Sequence, residues 1–175
     1  MHMQEERFDI VDRDDNVIKK WCLESEIWPE EIIRVVTVYL IDTQGKFYIA
    51  QRSPNKRVDP LMFEAPAHGR VNSGENYEDA IIREAEEEIY TKLMNLQEIQ
   101  YFYYEFDSNA WFQRLRKKLY VAKCEPISHY NYEEIYKIKS FVNIREFLRY
   151  YEQNTSKFSN AIAFDVKYLK QYFNL

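Results

Sequence analysis

Glycine and proline are scarce, with three Gly and five Pro in 175 residues. That excludes a collagen-like or low-complexity chain and marks each glycine as a place where the backbone needs freedom or close approach. Gly69 and Gly74, close together, are the two to watch. Cysteine is nearly absent: Cys22 and Cys124 lie far apart with no C-x-x-C spacing, so neither a zinc cluster nor a disulfide framework is expected, and both thiols should be reduced. Positive charge is not in excess. A net charge of -5 and a pI near 5.4 give no global field for a nucleic-acid polymer, although a local basic patch can hold a small anion. No run approaches the ~18 apolar residues of a membrane span, and the first seven residues lack the apolar core of a secretory signal. A cytoplasmic protein without membrane association is therefore expected. What the chain does have is 46% hydrophobic residues, 15 Tyr and 11 Phe, enough to build one packed domain over residues 1–175, with no repeat or linker.

Residues 8–13 alternate, Asp14-Asp15-Asn16 signals a turn and residues 17–23 resume an extended pattern, which predicts an N-terminal hairpin. The β-branched run 32–42 reads as a central strand. Thr43-Gln44-Gly45 turns it into a second strand at 46–52. A Pro-bounded polar loop, 53–60, carries Lys56 and Arg57 and leads to a short apolar segment, 61–67. Helical spacing follows from Asn76 to about Tyr90, with Ile81, Ile82, Ala85 and Ile89 on one arc. Residues 96–106 and 111–124 read as paired strands around a turn at Asp107-Ser108-Asn109, and 138–142 as one more short strand. Asn143 caps a helix at 144–153, and Ser159 or Asn160 caps the last, 161–173. The order predicts an α+β domain with helices packed on a mixed sheet.

Four glutamates, Glu84, Glu86, Glu87 and Glu88, crowd the end of the first helix. Spacings of three and four place Glu84, Glu87 and Glu88 side by side, with Glu86 pointing elsewhere. An acidic solvated face costs only a few tenths of a kcal/mol per like-charge pair, so spacing alone leaves two options open. The other is a divalent-cation site, because a hard ion takes oxygen ligands from a few carboxylates. Around it, Arg52, Lys56, Arg57 and Arg70 are candidate phosphate ligands or a solvated loop. His68 is a candidate substrate contact or a local hydrogen-bonding group. Arg114, Arg116 and Lys118 share a strand face that is expected to be solvent-exposed. Trp28, Tyr39, Tyr103 and Trp111 are stacking candidates, though most aromatics are core.

From Gly69 the order is Gly, five residues, Glu75, seven residues, Arg83, Glu84, Ala85, one residue, Glu87 and Glu88. This resembles the Nudix box, Gly-x5-Glu-x7-Arg-Glu-U-x-Glu-Glu-x-Gly-U, over residues 69–91. Tyr90 and Thr91 stand where the family has Gly, a helix-terminating residue, and an apolar residue. The resemblance implies a Nudix-type α/β/α sandwich around a mixed sheet, with the box as loop-helix-loop. It implies that Glu84, Glu87 and Glu88 hold Mg²⁺ or Mn²⁺, that the Gly69 carbonyl adds a ligand, and that Glu75 and Arg83 brace the loop as an ion pair. It also implies hydrolysis of the diphosphate linkage of a small nucleotide-like molecule, a nucleoside diphosphate joined to a further group, by water attack at phosphorus. The general base would be Glu84 or, from the later Glu133-Glu134 pair, Glu134. A homodimer is a further implication.

From about Phe8 to Val142 the chain also looks like Nudix proteins related to isopentenyl diphosphate isomerase, through Phe8-Asp9-Ile10-Val11-Asp12, Gln51-Arg52-Ser53, Lys56 and Asp59-Pro60. That isomerase uses a cysteine near the start of the box and a glutamate on a following strand. Residues 61–69 contain no Cys, and 111–124 contain no Asp or Glu. Hydrolysis is therefore the expected activity. An isomerase-like enzyme and a non-catalytic ligand-binding or regulatory module are the alternatives, the latter with no evident need for three adjacent carboxylates.

Overall fold

A computed structural model describes residues 6–105 and 114–175; the expected turn at Asp107–Asn109, and Trp111, lie outside them. The N-terminal hairpin forms from β1 (Arg7–Val11) and β2 (Val17–Leu23), paired antiparallel. Asp12 closes its turn by accepting the backbone N–H groups of Asp14 and Asn16, both at 2.9 Å, as Asp does in such turns.

The apolar run becomes β3 (Ile32–Asp42), the axis of the sheet. Along one edge it pairs in parallel with β8 (Arg114–Cys124) over its whole length from Ile33. Its other edge is shared in succession by β1, by β6 (Ala67–Arg70) and by β4 (Phe47–Arg52), all antiparallel. The sheet is completed by β5 (Phe63–Glu64) and β9 (Ile135–Phe141) on β4, and by β7 (Met94–Glu105) on β8. Register places Gly69 opposite Val36, in the middle of the sheet.

Both faces of β3 are covered, which explains its unbroken hydrophobicity. Val36, Val38 and Leu40 join the cluster under α1 (Tyr77–Ile89), with Ala80, Ile81, Ala85 and Ile89. The alternate residues Ile33, Val35, Tyr39 and Ile41 face the other cluster, with Phe147 and Leu148 of α2 (Ile144–Gln153) and Ile162, Val166 and Leu169 of α3 (Asn160–Tyr172). Strand period two thus assigns one residue set to each helical layer. The result is a mixed open sheet between helices, the expected α+β class. Among the described residues no helix is long and apolar enough to cross a membrane.

Several expectations shift in detail. Ile82 is 41% exposed, because the stripe that packs is narrower than the arc first drawn. β9 begins at Ile135, earlier than the expected 138, since its alternating lysines obscure a strand that is buried only at its ends. Ser159 occupies the N-cap of α3, yet its side chain makes no capping hydrogen bond, unlike Asn76 and Asn143. Tyr90, replacing the box glycine, itself takes the left-handed conformation, φ 50° and ψ 37°, and its N–H bonds the Ala85 carbonyl. The helix therefore ends in the manner of a glycine-terminated one.

Candidate active site

The acidic end of α1 faces β6 across a short gap. Gly69 has no side chain because none fits: a Cβ there would fall inside the van der Waals envelope of the Glu84 carboxylate. Glu88 is buried in the same gap, and its Oε2 accepts the backbone N–H of His68 at 3.0 Å. At the far end of the box loop, Arg83 Nε lies 3.0 Å from Glu75 Oε1 and Nη2 3.0 Å from Glu75 Oε2. Nη2 also donates to the Arg70 carbonyl, and Glu75 accepts the Asn72 N–H. The fork of Arg83 thus ties the loop to the helix. Its remaining nitrogen, Nη1, reaches Glu84 at 2.8 Å and Glu87 at 3.3 Å.

Burial dominates the electrostatics here. The Glu84 carboxyl is pushed up to about 7 by desolvation, against the pull of Arg83, with Glu87 adding to the rise. Desolvation and then Glu84 raise Glu88 well above the usual carboxylate range. Glu64 is likewise raised to about 7 by burial, opposed by Arg52. Glu87 differs, with 58% of its side chain exposed. Among the described residues no three acidic, histidine or cysteine side chains converge into a coordination shell as they stand, because Glu87 leans on Arg83 instead of toward Glu88.

One cavity of about 470 Å³ gathers the sequence candidates. Gly69, Glu84, Glu87 and Glu88 line it, and so do Arg52, Lys56, Arg57, Arg70, His68 and Glu134. Each cation, however, already faces a carboxylate. Arg52 grips Glu64 at 2.7 and 2.8 Å, Lys56 pairs with Glu134, and Glu24 bridges Arg57 and Arg70, both at 2.9 Å. Glu24 sits in a short 3-10 turn, Glu24–Glu26, that the sequence pattern did not suggest. His68 is held neutral, its pKa driven well below the ordinary value by burial and then by Arg52. Because Arg52 Nη1 approaches His68 Nε2 at 3.1 Å and arginine only donates, we assign the ring proton to Nδ1.

The weaker candidates sort differently. Arg114, Arg116 and Lys118 do not line the cavity. Lys118 and Arg116 lie over the rings of Tyr77 and Tyr101, so that face is half-buried rather than open. Trp28 is 65% exposed, Tyr39 is core, and it is Tyr104, not Tyr103, that lines the cavity. Sequence reasoning missed Glu64, Asn131, Ser159 and Lys117. Lys117 carried a signal: it falls in phase with the buried Leu115 and Leu119 of β8, and it is buried against Asp165 at 2.7 and 2.8 Å.

A family model for the NUDIX domain matches residues 32–158. The chain belongs to the Nudix family. It is similar to an uncharacterized Nudix hydrolase of Nostoc sp., 44% identical over 88 residues that make up 48% of this chain and 50% of that protein. A Nudix hydrolase of Deinococcus radiodurans is 37% identical over 87 residues, 50% of this chain and 51% of the relative. The chain spans about half the length of these curated Nudix relatives. Among solved structures, a Deinococcus radiodurans protein covers 85% of this chain and 90% of its own, with a TM-score of 0.68 and 26% identity. A MutT protein of Methanosarcina mazei, 20% identical over 67% of this chain and 80% of its own with a TM-score of 0.53, shares the Nudix fold.

Proposed function

We propose that this protein is a Mg²⁺- or Mn²⁺-dependent hydrolase of a small molecule containing a diphosphate linkage, a nucleoside diphosphate joined to a further group. What carries the proposal is the burial of Glu84 and Glu88 side by side against a glycine whose missing Cβ leaves room for a carboxylate. Glu84 is matched by Arg83, but buried Glu88 faces only the neutral His68, and a desolvated carboxylate without a matching cation is costly; a set of oxygen donors alone suits a hard divalent ion. Glu84, Glu87, Glu88 and the Gly69 carbonyl would hold it, Glu87 after leaving Arg83. When bound, the ion neutralises the bridging phosphates and acidifies a water.

The chain's own groups do the rest. Water adds to one phosphorus, the anhydride P–O bond breaks, and the water's proton passes to a carboxylate, for which we favour Glu84, which lines the cavity. Glu134, the other candidate base, is engaged by Lys56. Arg83 orients Glu84, and Glu75 fixes Arg83. Neither Cys22 nor Cys124 lines the cavity, so the thiol that isomerase chemistry requires is not at this site among the described residues. The direct test is release of phosphate or monophosphate from a panel of diphosphate compounds with Mg²⁺ or Mn²⁺. Metal-dependent release from at least one member is expected, and none from any would remove the hydrolase assignment.

A pH dependence follows. Burial pushes Glu84 and Glu64 up to about 7 in the folded state from an ordinary 4.5, so between these values the folded chain binds more protons than the unfolded one. Stability contributed by these groups is therefore present at acid pH and declines as pH rises from about 4.5 to about 7. A cation that binds ionised Glu84 offsets the share of the loss that comes from that group. Saturating Mg²⁺ should raise Tm more at pH 8 than at pH 5.5. At a hundred times Kd the gain is about 2.7 kcal/mol, or roughly 5–10 °C for a chain of this size. An equal shift at both pH values in thermal melts would contradict ligation by these groups.

A further inference from the structure

The carboxylates that match the basic residues of the cavity are not held alike. Asp165 and Glu64 are enclosed with their partners, their side chains 2% and 13% exposed. Glu134 is tied through its own backbone to Ser53 and Asn131. Glu24 has neither restraint. It lies on the short turn Glu24–Glu26, none of whose residues is buried, and the backbone bond that closes the turn, from the Ile27 N–H to the Glu24 carbonyl, is long at 3.3 Å. The chain is anchored on either side by buried Cys22 and Ile27, so the turn can move without disturbing the core.

What Glu24 holds is a pair of arginine forks. Arg57, from the loop after β4, and Arg70, at the end of β6, both line the cavity, whereas Glu24 does not. Arg57 Nη2 donates to Glu24 Oε1 and Arg70 Nη1 to Oε2, each at 2.9 Å. Phe8 helps to place Arg70, whose guanidinium carbon is 4.9 Å from the ring centroid. Two guanidinium groups repel when they converge, so an anion belongs between them. The Arg70 hydrogen bond, foremost, holds the Glu24 carboxyl below its usual range and keeps it ionised.

The contact is nonetheless open to water, with the side chains of Glu24, Arg57 and Arg70 38%, 58% and 27% exposed. Exposed ion pairs contribute little and are readily exchanged. A phosphoryl group brings three oxygens and up to two negative charges, against two oxygens and one charge on a carboxylate, and the arginine fork suits it.

We propose that Arg57 and Arg70 form a subsite for a phosphoryl group of the diphosphate ligand, and that Glu24 is its resident stand-in, giving up both arginines when phosphate oxygens arrive. The inference rests on the hydrolase assignment only for the source of that phosphoryl group. Glu24 then acts as an internal competitor. The apparent dissociation constant is the intrinsic one divided by the fraction of molecules in which the pair is released, so a pair released in about a tenth of them binds about tenfold more weakly than one never occupied.

Two probes without a hydrolysable bond test this: inorganic phosphate with a metal chelator, and methylenediphosphonate, whose phosphorus atoms are bridged by carbon, with Mg²⁺. In calorimetric titrations at pH 8 and constant ionic strength, Glu24→Gln should bind both about tenfold more tightly than the wild type. Glu26→Gln removes the same charge from the same turn and should change either affinity less than about twofold. Adding Arg57→Gln or Arg70→Gln to Glu24→Gln should take most of the gain away. Methylenediphosphonate bound equally by the wild type and Glu24→Gln would overturn the subsite, and if inorganic phosphate alone is tightened the pair serves the free ion instead. An equal gain in Glu26→Gln, or a gain that survives both arginine substitutions, would overturn it too. If both probes respond as expected while no diphosphate in the panel is cleaved, the subsite stands and the hydrolase assignment falls. Cleavage with no response of either probe to Glu24→Gln removes the subsite alone.

Discussion

Glu87→Gln is expected to lower Mg²⁺-dependent turnover by about a hundred- to a thousand-fold, with Tm changed by no more than about 2 °C. The asymmetry comes from where Glu87 sits. Its side chain is more than half exposed and touches Arg83 at 3.3 Å, a contact the packing of α1 does not need. Exposed substitutions of this kind stay within about 0.5 kcal/mol of neutral, and removing one of three neighbouring negative charges relieves a small repulsion. Catalysis has no such tolerance. Glutamine keeps the shape but surrenders the charge that a divalent ion requires, and losing the ion's stabilisation of the developing anion carries a penalty of the stated size. Glu86→Gln, on the same helix but outside the cavity, is the matched control and should retain activity within about twofold. Turnover rates of the two variants, measured beside their melting curves, check the assignment. Equal activity in both would remove Glu87 from the machinery.

Gly69→Ala should be nearly as damaging by a different route. The backbone at Gly69 is ordinary β-strand pinned opposite Val36, so alanine is tolerated conformationally and the chain cannot shift aside. The added methyl must displace the Glu84 carboxylate. That side chain can swing, so Tm should fall by only a few degrees, but a carboxylate moved by about 1 Å costs on the order of a hundredfold in rate. Activity per folded molecule, with folding checked by circular dichroism, separates the two effects. Normal turnover in Gly69→Ala would show that the placement of Glu84 beside this glycine has no catalytic meaning.

How legible this was depends on how local each feature is. Helix α1 follows from residue spacing, because helical geometry alone brings Ile81, Ala85 and Ile89 onto one face, whereas the pairing of Glu75 with Arg83 was implied by the resemblance to the Nudix box. β3 was legible as a doubly covered strand from its unbroken apolar run. Features assembled from distant segments were not. Glu24, which spans Arg57 and Arg70, and Glu134, which occupies Lys56, arrive from separate turns, so the basic residues looked available when each is already matched. Ser159 read as a helix cap because Ser before a helix usually is one; only packing reveals that its hydroxyl is buried and makes no capping bond. Lys117 stood in the apolar phase of its strand, a warning that a partner such as Asp165 must be buried with it.

The central claim is that Glu84, Glu87 and Glu88 converge on one divalent ion. Crystals grown with manganese and measured at its absorption edge address it most directly. Anomalous density bridging the three carboxylates, with Glu87 swung off Arg83, is the result expected. Glu87 still bonded to Arg83, with no anomalous density between Glu84 and Glu88 at saturating manganese and pH 8, would contradict it.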